Sequence, residues 1–270
     1  MCTEEQDLAK AREIVRKLCP IDDTLFRKMF NENIELTQFI LRIFLDKPDL
    51  VVQNVNTQFD LKKLMGARSL ILYAYATDSE GKKYNIEAEK SEKRAEPHRA
   101  RYHSAALDTE NSKTCTEPEE LPTTYIIFIT EDDIFKANKP VYHVDRIVRE
   151  IDEEFKNGEY IIYINALYKD DTTELGKLVH DFLCSDTKDM VVPEIAECVN
   201  SWKNTRKGEE IMCKAVEDYA KEKAERKAMD IALTLLKLGK LTVGEIGLST
   251  KLSVEMITQL AIDNGIAYTV

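Results

Sequence analysis

Between residues 69 and 90 the chain stops repeating every three to four residues and begins to alternate. No other feature constrains its fold as tightly. "SLILYAYA" (69–76) is a continuous apolar run of strand length, and "TDSEGKK" offers Asp, Ser and Gly where a tight turn needs them. "YNIEAE" (84–89) then alternates, with Tyr84, Ile86 and Ala88 on one face and Asn85, Glu87 and Glu89 on the other. The pattern predicts a β-hairpin in which Gly81 takes the positive φ of a short loop. Two acids, Glu87 and Glu89, then leave one face of a strand roughly 7 Å apart. Such a pair is either a binding site for a hard cation such as Mg²⁺ or the wet face of a sheet. Alternation alone favours the wet face.

The surroundings read as an α/β protein. Residues 4–18 and 22–45 have helical spacing, with Asp22 or Asp23 as N-cap and Pro48 as the stop. "PHRARYHSAALDTE" (97–110) suits a helix opened by Pro97, and "TTYIIFIT" (123–130) suits a strand buried on both faces. Strand, helix and buried strand in that order imply a crossover and a partly parallel sheet. "PVYHVDR" and "EYIIYIN" (159–165) supply two further strands. From Thr172 onward the chain reads as helical: 172–184, 190–203, a long charged helix over 208–239 closed by Gly239, and two short helices capped by Thr242 and Ser253. The expected division is a domain over residues 1–205 and a helical extension over 206–270.

Composition excludes several classes. No apolar run approaches the ~20 residues of a membrane span, and the charged N-terminus lacks the apolar core of a signal peptide, so a cytoplasmic protein with no membrane contact is expected. Cys2, Cys19, Cys115, Cys184, Cys198 and Cys213 show no CxxC or CxxH spacing, which points to reduced thiols rather than zinc ligands. His143 and His180 read as histidines satisfied by hydrogen bonds within the fold. The net charge of −11 rules out nucleic-acid attraction through the bulk field. Between Gly81 and His103, however, seven Lys or Arg and four Glu give a local charge of +3. The last short helix, "SVEMITQLAID", contains no basic residue. It reads as a packing or self-association module, making the C-terminal helices the expected route to a homo-oligomer.

The blocks "TQFDLKKLMGARSL", "DSEGKKYNIEAEK", "RARYHSAALD", "LPTTYIIFITEDDIF", "VYHVDR", "YIIYINALYKDD", "LGKLVHDFLCSD" and "GEEIMCKAVED" span nearly the whole chain. In order and spacing they resemble the PD-(D/E)XK nuclease family transposases, also called recombination-promoting nucleases. The resemblance implies a restriction-endonuclease-like mixed sheet flanked by helices, with DNA as partner and Mg²⁺ (or Mn²⁺) as cofactor if the site is active. It places the family's second-strand acid, the metal ligand, on Glu87. The first-strand Asp falls on Tyr73, and the last motif position, Lys or Gln in relatives, falls on Glu89. Arg99, Arg101 and His103 become the expected DNA contacts or supports of the acids. Two changed positions out of three leave two expectations. One is a metal-dependent endonuclease with a degenerate site, in which Glu89 assists Glu87 or an acid such as Asp78 or Glu35 substitutes. The other is an inactive family member that binds DNA or a partner protein.

Overall fold

The computed structural model describes residues 2–61, 70–90, 95–112 and 117–269. These divide into two compact units, one reaching Cys213 and one starting at Lys214. Ser69, Glu92, Lys93, Arg94 and Cys115 lie outside the described residues.

The first unit is a six-stranded mixed sheet flanked by helices. Its strands are β1 (Val52–Leu61), β2 (Leu70–Asp78), β3 (Lys83–Glu89), β4 (Thr124–Thr130), β5 (Val141–Val144) and β8 (Glu159–Asn165), in the order β1-β2-β3-β4-β8-β5. β1, β2 and β3 pair antiparallel, β3, β4 and β8 pair parallel, and β5 closes the edge antiparallel to β8. The predicted crossover is present: α4 (Pro97–Asn111) joins β3 to the parallel β4, whose seven residues are all buried. β6 (Ile147–Val148) and β7 (Glu153–Glu154) form a separate ribbon.

Register builds an aromatic ladder on each face of the sheet. Tyr84, Tyr125 and Tyr160 are aligned across β3, β4 and β8 and stack with centroids 5.0 Å apart at each step. On the opposite face Phe128 stacks on Tyr163, and the buried His103 of α4 lies against Phe128. Ala100 and Leu107 of α4 join Phe128, Ile126 and Tyr163 in one apolar cluster, so this is the face that α4 covers. Burying such rings supplies much of the apolar area that holds helix to sheet.

The helix expected over 22–45 is in fact two, α2 (Asp23–Phe30) and α3 (Ile34–Leu45). The polar triplet Asn31–Glu32–Asn33 causes the break. Glu32 adopts a left-handed φ of 56°, and the Asn33 side chain caps α3 by accepting the Leu36 N–H. α1 (Cys2–Lys17), α5 (Glu174–Phe182) and α6 (Pro193–Lys203) complete the packing. Phe26 of α2 and Phe44 of α3 both meet Phe182 of α5. The buried Lys203 donates from Nζ to the carbonyls of Arg16, Leu18 and Ser185, tying the end of α1 and the segment after α5 to α6 with one ammonium.

α7 (Arg206–Leu238) begins in the first unit and continues into the second. In the second unit Ala232 and Leu236 pack with α8 (Val243–Thr250) and α9 (Val254–Asp263) around Ile246, Ile257 and Ala261. Thr242 and Ser253 cap these helices through their hydroxyls, as their positions predict. Among the described residues no helix is long and apolar enough to cross a membrane.

Candidate active site

The β2–β3 hairpin sets the site. Gly81 takes φ +80° in the turn, and the Asp78 carboxylate organises it by accepting the N–H groups of Glu80 and Lys82 and the hydroxyl of Tyr84. From there β3 runs beneath α4. Asn85, Glu87 and Glu89 face that helix and are 0, 0 and 1% exposed. The wet-face alternative therefore fails: three alternating polar side chains lie in the interior. A buried polar strand face needs partners, because each uncompensated group costs free energy.

Most of those partners come from one turn of α4. Arg99 and His103 stand four residues apart, hence on one helix face. Arg99 Nη2 lies 2.9 Å from Glu89 Oε1 and 3.6 Å from Glu87 Oε2. Arg99 Nε donates to His103 Nε2 at 3.2 Å. A guanidinium can only donate, so Nε2 is the acceptor in this contact. Nδ1 faces the Asn85 amide at 2.8 Å and Glu87 Oε1 at 3.8 Å. Glu87 Oε1 also accepts the backbone N–H of Tyr73 at 3.1 Å.

The charges follow from burial. Desolvation, helped by the neighbouring Arg99, pushes the His103 pKa down to about 3, so the imidazole is neutral and forms no ion pair with Glu87. Desolvation pushes Glu87 up to about 8; Arg99, the Tyr73 N–H and Asn85 pull against it, and Glu89 adds to it. At neutral pH Glu87 therefore stays largely protonated, close to the Arg99 guanidinium.

The cation implied by the family fits this donor set poorly. Two carboxylates are present, but a guanidinium already lies against both. The third position is the phenol of Tyr73, a weak ligand for a hard ion. Its ring packs instead against α2, 6.5 Å from Phe26 and with the Arg27 guanidinium 5.0 Å from its centroid. Glu87 Oε2 makes no hydrogen bond among the described residues and has the Arg99 guanidinium 3.6 Å away, with no third carboxylate at the Tyr73 position to complete a site.

The other expected residues are distributed as follows. Arg101 is exposed on α4, whereas His103 is buried, inside the protein rather than on a surface DNA can touch. Asp78 lies five residues along β2 from Tyr73, about 17 Å away at strand rise, and its oxygens are committed to the turn. Glu35 is exposed in the first turn of α3, and Lys90 pairs with Asp22 beside α2. His143 is exposed on β5, and His180 bonds to Asp181. Asn85 and Arg27, which the sequence did not single out, support Glu87 and Tyr73. Asn85 shares the polar alternation of the acids, a signal visible beforehand.

No curated protein and no solved structure matches the chain. A family model described as PD-(D/E)XK nuclease family transposase matches residues 20–192, from just before α2 to the end of the loop before α6. That span holds the whole mixed sheet, both acids and α4, and covers well over half of the sequence: the chain belongs to the PD-(D/E)XK nuclease family transposases.

Proposed function

We propose that this protein keeps the nuclease scaffold but not the cutting chemistry, and that it acts by binding DNA. One observation carries the reading: Arg99 sits between Glu87 and Glu89, where a hydrolytic site would need a divalent cation. In a working site Mg²⁺ or Mn²⁺ activates water and neutralises charge on the phosphate. Here the acids have an internal counter-ion, the first-strand acid is Tyr73, and Glu89 offers no group to orient an attacking water. Arg99 holds the acids rather than DNA, Glu87 and Glu89 form the remnant of the site, and His103 fixes Arg99 from within. Family membership supports DNA as the partner, and with a net charge of −11 the binding would depend on local contacts, the exposed Arg101 among them.

The test pairs cleavage with binding. Supercoiled plasmid is incubated with Mg²⁺ or Mn²⁺ and the natural protein, Glu87→Gln, or Tyr73→Asp combined with Glu89→Gln. Duplex binding is followed by fluorescence anisotropy at two salt concentrations. The expected result is no cleavage by the natural protein, binding that weakens with salt, and weaker binding for Arg101→Ala. Cleavage by the natural protein that Glu87→Gln abolishes overturns the loss of chemistry. An absence of binding overturns the DNA assignment in favour of a protein partner.

A further inference from the structure

We infer that the C-terminal turn of α5 carries a site for a divalent transition-metal ion of the Zn²⁺ class, held by His180, Asp181 and Cys184. One ring nitrogen of His180, one carboxylate oxygen of Asp181 and Cys184 Sγ lie within 4.8 Å of one another. Nδ1 is 3.6 Å from Sγ and 2.9 Å from Oδ1. Nitrogen and sulfur bound to one tetrahedral Zn²⁺ are separated by roughly 3.6 Å, given bond lengths of about 2.0 and 2.3 Å. The N–S distance matches that of a bound site, but Sγ is almost equidistant from Nδ1 and Nε2 (3.6 and 3.7 Å). The half-exposed imidazole must therefore turn to aim Nδ1 at the ion while Nδ1 and Oδ1 open by a few tenths of an ångström.

The ligand set also fits in charge and rigidity. A thiolate and a carboxylate cancel a divalent cation, and a nitrogen–sulfur–oxygen set selects against Mg²⁺. Asp181 is fully buried and anchored, because its oxygens accept the N–H groups of Val191 and Val192. Such outer support fixes a ligand's orientation before the metal arrives. His180 is half exposed, which leaves an approach from solvent and a fourth position for water.

Binding balances simply. The Nδ1–H···Oδ1 hydrogen bond gives way to N–metal and O–metal bonds, and the ring proton is carried on Nε2. The Cys184 S–H bond breaks as the S–metal bond forms, releasing one proton to solvent. The ion would sit at the end of α5, on a carboxylate already tied to Val191 and Val192 of the loop that leads into α6. Zinc motifs of the CxxC kind are absent from this chain; the site arises from residues i, i+1 and i+4 at the end of one helix. His180 thereby gains a role beyond its hydrogen bond.

The full-length protein, stripped with chelator, is titrated with Co²⁺ and then Zn²⁺. The expected result is one Co²⁺ per chain with the charge-transfer absorption of a thiolate ligand, displaced by Zn²⁺ and indifferent to Mg²⁺. Cys184→Ser should abolish that band and weaken Zn²⁺ binding more than roughly tenfold, since losing a ligand costs at least as much as losing an outer partner. His180→Ala should weaken binding similarly, while Cys198→Ser, on α6, leaves band and affinity unchanged. No thiolate band in the natural protein, or a band that survives Cys184→Ser, overturns the proposal. These variants leave α4 and β3 untouched, so the result is independent of the acid pair.

Discussion

The two ends of the β2–β3 hairpin both bury carboxylates, and they solve the problem differently. At the turn, Asp78 is 4% exposed and is satisfied by two backbone N–H groups and a tyrosine hydroxyl. Every contact there serves the local chain path. At the far end Glu87 and Glu89 are satisfied mainly by charge brought from another element, the guanidinium of Arg99. A carboxylate paired with backbone donors is part of a turn. A pair of carboxylates that relies on a distant cation marks a place where a cation belongs, and in this chain the cation is covalently attached.

Four measurements would break or sharpen that contrast. The largest effect is expected from Arg99→Met, which strands the acids in the interior and should cost about 3 kcal/mol in urea unfolding at pH 8. Adding Glu89→Gln should recover most of that loss. A neutral Arg99→Met would show that the acids need no counter-ion. Next, Asp78→Ala removes three acceptor contacts and should cost about 2 kcal/mol. Its cost should add to that of Arg99→Met within about 0.5 kcal/mol if the two ends are independent.

The third measurement is the pH dependence of stability. The folded pKa of Glu87, about 8, lies above its ordinary 4.5, so between these values the native state binds more protons than the unfolded chain. The contribution is complete below pH 4.5 and is lost as pH rises to about 8. Its slope approaches ~1.4 kcal/mol per pH unit at most. Glu87→Gln should flatten the melting temperature over this window. Smallest is Gly81→Ala. A Cβ there meets nothing within 4 Å, so its cost of about 1 kcal/mol is that of φ +80° alone.

The hairpin, the crossover and the capped C-terminal helices were legible because each is local: turn residues, alternation and capping hydroxyls act over a few positions. Other elements depend on context. β1, with its polar "VQNVNTQFDL", is recruited by its edge position beside β2 rather than by its own apolar content. The break at Asn31–Asn33 rests on one residue in a left-handed conformation inside an otherwise helical pattern. The site was half legible. Alternation located Glu87 and Glu89 but suggested a solvated face, since a strand shows the same pattern whether water or a helix covers its polar side. What inverted that reading is non-local: α4 lays Ala100 and Leu107 on the sheet and so brings Arg99 and His103 down onto the acids.

Lys203 bears on how the protein is made. Its ammonium joins carbonyls at Arg16 and Leu18 to a point 187 and 185 residues further along the chain. At typical elongation rates of ~5–20 residues per second, α1 leaves the ribosome roughly 10–40 s before its anchor does. During that interval the carbonyls of Arg16 and Leu18 lack the ammonium that holds them in the finished fold.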